Sequence, residues 1–151
     1  TVVTFLDDLV QEWRDSRPVT TFVYENRFGY DLPMVSDSAL KQTIHNVLDN
    51  ALEASPQRVT LDVARVDDRL VLTVTDAGPG FAPHMLAHLG KPYQSSKGRP
   101  GGGLGLFLVV NVLRTLGGNV TAHNLAEGGA LVRISLPLSA VTLEEEEPNA
   151  S

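Results

Sequence analysis

Apolar residues at the start of the chain recur with a helical period. Val2, Phe5, Leu6, Leu9, Val10 and Trp13 stand at i, i+3, i+4, i+7, i+8 and i+11, one face of an amphipathic helix. Pro18 ends it. The run "VTTFVYE" (19–25) is β-branched and aromatic and reads as a strand. "LPMVSDSA" holds a loop and a helix start, with Ser36 or Asp37 as N-cap. The helix over 38–55 carries its apolar stripe at Leu40, Ile44, Val47, Leu48 and Ala51, and Pro56 follows it. From 58 to 78 two alternating runs meet at Asp67-Asp68, the pattern of a β-hairpin. Residues 81–103 are irregular, with one short helix at "PHMLAHL" closed by Gly90. A buried helix is predicted over 104–116, with Asn111, Arg114 and Thr115 as its solvent stripe. A second hairpin joins "NVTAHNL" to "ALVRISLPL" around Glu127-Gly128-Gly129. Three helices and about five strands, segregated rather than alternating, predict an α+β two-layer sandwich. Its mixed sheet would be covered by helices on one face.

Composition narrows the function classes. The chain has 151 residues and no cysteine, which excludes disulfides, thiolate metal sites and a thiol nucleophile within it. Net charge is −6, and residues 144–147 are all glutamate. With no basic stripe interleaved with aromatics, nucleic acid is a poor partner. The segment 139–151 is expected to be a disordered acidic tail, leaving one domain over 1–138. No apolar run is long enough to span a membrane, so no direct membrane contact is expected from this fragment; the lack of cysteine fits a cytoplasmic setting, one compatible with an inner-membrane anchor elsewhere in a full-length protein. The first residue is Thr1, which suggests a piece of a longer protein.

Three stretches could carry chemistry. In "HNVLDNALEAS" (45–55), Asn46 and Asn50 are one helical turn apart on one face. An amide oxygen can ligate a hard cation such as Mg²⁺ beside phosphates; solvated or capping asparagines fit the spacing as well. In "TVTDAGPG", a strand delivers Asp76 to its end and Gly78 and Gly80 turn the chain at once. A carboxylate there can accept from an exocyclic amine, with a flat ring lying on the glycines. A plain Asx turn has the same signature. "GRPGGGLGLF" (98–107) puts glycines at a helix start, where free N–H groups attract anions. It is no P-loop, because Met85 stands where Gly90-Lys91 would need a glycine. Neither is it G-x-G-x-x-G, because Leu106 and Leu108 occupy the last position.

In order, the chain shows N-x-x-x-N on a helix, D-x-G-x-G at a strand end, a variable lid, and G-x-G-L-G-L opening a helix. This order resembles the ATP-binding domain of bacterial sensor histidine kinases, in the superfamily shared with DNA gyrase, Hsp90 and MutL. The match covers about residues 2–138: "NVLDNALEAS" as the N box, "DAGPG" as G1, "GKPYQSSKG" as an F-box-like lid with Tyr93 in the aromatic place, and "GGGLGLFLV" as G2. "GGALVRISLP" looks like the family's last strand. "LDDLVQEWRDSRP" and the lid faintly resemble the redox-responsive RegB/PrrB subgroup. The resemblance implies a Bergerat-type sandwich with an ATP lid, and ATP and Mg²⁺ as cofactors. Asn50 would give its oxygen to Mg²⁺, and Asn46 would sit near the phosphates and ribose in the catalytic position. Asp76 would bind the adenine amine, with Gly78 and Gly80 beneath the base. Gly101, Gly103 and Gly105, with the N–H groups of Leu104 and Leu106, would receive the phosphates. Lys97 or Arg99 would reach the γ-phosphate. The γ-phosphoryl would pass to a histidine on a dimerisation domain absent from this chain, and then to a response regulator.

Three departures bear on this. Gyrase-like relatives carry a glutamate where Asn46 stands, and asparagine cannot abstract a proton. A basic residue is common in kinases at the position of Glu53. Ala130 replaces a Thr that often helps hold the aspartate, so water or backbone would order Asp76 instead. Other readings are a stand-alone anti-sigma-factor serine kinase, a gyrase/Hsp90-type ATPase module, and a degenerate nucleotide-binding module. His84 and His88 are four apart, but no third metal ligand is evident; they fit a solvated lid helix, and Trp13 fits the core.

Overall fold

The computed structural model describes residues 1–17, 21–34, 38–55, 57–80 and 102–142. The periodic stretches become α1 (Val2–Ser16), β1 (Thr21–Arg27), α2 (Ser38–Ala54), β2 (Arg58–Val66), β3 (Arg69–Asp76), α3 (Gly102–Thr115), β4 (Asn119–Asn124) and β5 (Ala130–Pro137). The first strand sits two residues later than its composition predicts, and α3 starts two residues earlier. A 3₁₀ turn, Leu138–Ala140, follows β5. Val141 is buried and Thr142 forms a β-bridge to Met34. The folded unit therefore runs to at least Thr142, past the boundary expected at 138; residues 143–151 lie outside the described ones.

The strands form one mixed sheet in the order β1-β2-β3-β5-β4. β1 pairs parallel with β2, and the other neighbours are antiparallel. Register and burial divide the sheet cleanly. Val59, Leu61 and Val63 of β2, Leu70, Leu72 and Val74 of β3, and Val132, Ile134 and Leu136 of β5 are all buried on one face. Their neighbours in sequence, such as Thr60, Thr73, Thr75 and Arg133, lie on the other, where Thr60 and Thr75 hydrogen-bond across strands. This is the period-two alternation of a sheet with one covered face.

The helices supply the second layer. α2 buries Leu40, Ile44, Val47, Leu48 and Ala51 and packs against α3, β3 and β2. On α3, Val109 and Leu113 are buried while Asn111, Arg114 and Thr115 are exposed. Its C-terminus closes with Gly118 N–H donating to Leu113 O at 2.7 Å and Gly117 N–H to Arg114 O at 3.1 Å, the paired bonds of a Schellman stop. α1 buries Val2, Leu6, Leu9, Val10 and Trp13. Trp13 lies wholly in the core, its ring 5.0 Å from that of Phe22. Its indole N–H donates to Asp49 Oδ1 at 2.9 Å, and Arg17 Nε reaches the same oxygen at 2.8 Å. An aspartate on α2 thus fastens the end of α1 to the helix that carries both asparagines.

Candidate functional site

The alternation along β3 places the site's carboxylate. Leu70, Leu72 and Val74 face the helices, and the next residue on that face is Asp76. A carboxylate in that position is partly withdrawn from water, and this burial raises its pKa above the ordinary aspartate value. Two backbone N–H groups oppose the shift. Gly78 N–H donates to Asp76 Oδ1 at 2.8 Å, and Ala130 N–H is the other donor. The first bond is an Asx turn. The second comes from β5, so a main-chain N–H of a neighbouring strand also faces the Asp76 carboxylate.

The glycines after Asp76 permit close approach. A Cβ on Gly78 would run into the carbonyl oxygen of Ala54 and stand 2.9 Å from its carbon. A Cβ on Gly80, whose φ is +84°, would lie 2.6 Å from Asn124 Oδ1. Ala54 is one turn past Asn50 on α2. The loop after β3 is therefore seated at Gly78 on the helix that carries the asparagine pair, and at Gly80 against Asn124 and Gly129 of the β4–β5 hairpin.

On α2, Asn46 and Asn50 are both half-buried. Asn46 Oδ1 accepts from Gln42 Nε2 at 3.1 Å, along the helix surface. The Nδ2 of Asn50 is buried without a hydrogen-bond partner. A buried amide without a partner is costly. A half-turn of the amide exchanges donor for acceptor, so the position suits either a phosphate oxygen or a cation. Ser55 Oγ, at the end of the same helix, is likewise buried without a partner. Glu53 is exposed.

Gly103, Leu104, Gly105 and Leu106 lie inside α3, which begins at Gly102. A helix leaves free only the N–H groups of its first turn. Gly103 and Leu104 fall in that turn, whereas Leu106 N–H falls within the range of the helical ladder. Gly101, Tyr93, Lys97, Arg99, the helix expected over 83–89, and His84 and His88 lie outside the described residues. Among the described residues no group of His, Asp and Glu is arranged to hold a metal, and no helix is long and apolar enough to cross a membrane.

Asp49 and the close approach of Gly129 to Asp76 are features of α2 and of the β4–β5 turn that sequence reasoning passes over. Asp49 carried a usable signal: an acid flanked by buried Val47, Leu48 and Ala51 needs partners, and Trp13 needs an acceptor. At Ala130 the missing hydroxyl pointed to water or backbone in its place, but not to which backbone group, because a backbone donor has no residue type.

A model of the family described as histidine kinase-, DNA gyrase B- and HSP90-like ATPases matches residues 36–140, a span that contains both asparagines, Asp76 and the glycine-rich helix start. The chain belongs to that family. It is 34% identical over 112 residues to the sensor histidine kinase component HK1 of Mycobacterium tuberculosis, covering 72% of this chain and 67% of that protein. It is 39% identical over 106 residues to the C4-dicarboxylate transport sensor protein DctB of Pseudomonas aeruginosa, covering 66% of this chain but 17% of DctB. The chain thus spans about a sixth of that relative. The solved mycobacterial sensor histidine kinase MprB superposes with a TM-score of 0.68 at 28% identity, covering 90% of this chain and 95% of that one. The full-length kinase ShkA, solved in complex with AMPPNP, shares the fold at a TM-score of 0.69 and 23% identity, over 91% of this chain and 30% of that one. Together these make the chain an ATP-binding catalytic domain of the histidine-kinase type, with the α+β sandwich expected from its pattern.

Proposed function

We propose that this domain binds Mg-ATP between the Asp76 loop, α2 and the start of α3, and delivers the γ-phosphoryl to a histidine on the dimerisation helices of its own kinase, for relay to a response regulator. The observation that carries this reading is Asp76: a half-buried carboxylate at a strand end that faces two backbone N–H groups, in a loop whose glycines let it pack closely on α2 and on the β4–β5 turn. In this reading its remaining lone pairs accept the exocyclic amine of adenine, and the glycine backbone lies under the base. Magnesium, when bound, neutralises charge on the phosphates. Asn50 would hold it through its side-chain oxygen, while its buried Nδ2, a donor without a partner, suits a phosphate oxygen beside the metal. Asn46 orients phosphate or ribose and moves no proton, because an amide has no basic site at neutral pH. Free N–H groups at the start of α3 receive phosphate oxygens. Positioning and charge neutralisation, rather than a protein base, carry the transfer. In this reading residues 143–151, with their run of glutamates, form an acidic tail outside the domain, and the domain works on the cytoplasmic side, where ATP is supplied.

Titration calorimetry of the 151-residue chain with ATP, with and without Mg²⁺, tests this. The wild type should bind more tightly with Mg²⁺, and Asn50→Ala should lose that gain while keeping its thermal midpoint. An Asn50→Ala variant with the wild-type Mg²⁺ dependence would remove Asn50 from the metal.

A further inference from the structure

The turn between β4 and β5, which leads into the strand that resembles the family's last one, is built onto the Asp76 loop. Leu125 N–H donates to Gly129 O at 2.9 Å, and Gly128 N–H to Leu125 O at 3.1 Å. Gly128 and Gly129 both have left-handed backbones, with φ of +98° and +101°. They differ in what a side chain would meet. A Cβ on Gly128 has nothing within 4 Å. A Cβ on Gly129 would collide with the carbonyl oxygen of Asp76, with Asp76 C at 3.0 Å and Ala77 Cα at 3.1 Å. The Gly129 carbonyl oxygen in turn lies 3.2 Å from where a Cβ on Gly80 would stand. The next residue, Ala130, is buried, and its N–H is the donor from β5 to the Asp76 carboxylate.

We propose that Gly129 is a positioning residue of the nucleotide site: its bare backbone contact with Asp76 sets the Ala130 N–H on the Asp76 carboxylate and so fixes the direction in which that carboxylate presents itself to a base. This rests on the reading of Asp76 as the base-binding residue. The physical reason is rotational. The Gly78 bond is local and pins one oxygen only. A second donor from another strand removes the remaining swing of the carboxylate. Because residue 130 has no hydroxyl, the main chain must come close enough to do this, and any side chain at 129 would prevent it.

Gly129→Ala and Gly128→Ala in the full 151-residue chain separate this role from ordinary backbone strain. Both force an L side chain into a left-handed turn, but Gly129→Ala alone meets Asp76. The first readout needs no nucleotide: the NMR titration of the Asp76 carboxyl carbon. Gly129→Ala should move its midpoint upward, because the charged form loses a donor; Gly128→Ala should leave it at the wild-type value. The second readout is ATP affinity, which should fall about tenfold in Gly129→Ala and stay unchanged in Gly128→Ala, the scale of one hydrogen bond to a charged group. Should Gly129→Ala fail to fold, replacing the Ala130 N–H by an ester oxygen removes the donor without adding a side chain and should reproduce both shifts. An unmoved Asp76 titration in folded Gly129→Ala, or in the ester variant, overturns the proposal. A moved titration in a chain whose wild type does not bind ATP supports the positioning role and overturns the nucleotide reading of Asp76 instead.

Discussion

Replacing Asp76 by asparagine should separate binding from stability, in opposite directions. In the wild type, Gly78 N–H occupies Oδ1 and Ala130 N–H is a second donor to the carboxylate, which leaves lone pairs for an adenine amine. In Asp76→Asn one oxygen remains for the backbone donors, and an NH₂ group faces the amine, donor against donor. A hydrogen bond to a charged acceptor contributes roughly 1.5–3 kcal/mol, or about 10- to 150-fold in affinity. The donor clash puts the expected loss of ATP affinity near the upper end, about 100-fold. Guanine carries a carbonyl oxygen where adenine carries the amine, so GTP should be weakened far less. Stability runs the other way. Burial places the folded pKa of Asp76 above its unfolded value of 3.8. Between the two values the native state holds the extra proton, so stability falls as pH rises through that window. At neutral pH the cost of the buried charge is present in full. Asp76→Asn removes that charge, so its thermal midpoint at pH 7 should equal or exceed the wild type's, and its stability should not fall through the acid window. Calorimetry with ATP and GTP, together with thermal unfolding at pH 4 to 7, measures both. Equal losses for ATP and GTP, or a lowered midpoint at pH 7, would make Asp76 a structural residue and refute the argument.

Asp49→Ala leaves the fully buried Trp13 N–H without an acceptor and Arg17 without its carboxylate; urea unfolding should show a loss of about 2–3 kcal/mol. Asp49→Asn keeps an oxygen for Trp13 and loses only a part-exposed ion pair, at less than about 1 kcal/mol, so equal losses for the two variants would contradict this account of the α1–α2 junction. With radiolabelled ATP, the chain alone should neither label itself nor release phosphate quickly, because Asn46 is no base. It should label added dimerisation helices slowly, lacking a tether to raise their effective concentration; label on the chain itself would place an acceptor within it.

Much of this molecule was legible in one dimension. Periods of 3.6 and 2 are set by backbone geometry, so the stripe from Val2 to Trp13, the stripe from Leu40 to Ala51 and the two hairpins announce their elements and their buried faces before any tertiary contact is known. The asparagine pair and Asp76 with its glycines were legible for the same reason: each motif is local, and its spacing is its geometry. What the pattern could not carry is whatever depends on two distant segments meeting. The parallel pairing of β1 with β2 joins strands separated by α2, and nothing in "TFVYENR" names its neighbour. Trp13 and Asp49 are 36 residues apart; the sequence shows that each needs a partner, and only the packing of the helices shows that they are each other's. Ala130 reads as a lost hydroxyl in sequence, but folding turns its backbone N–H toward Asp76, and Gly129 becomes necessary only because another strand's carbonyl occupies the space beside it. Periodicity encodes which way a residue faces; only the packed chain decides what it faces.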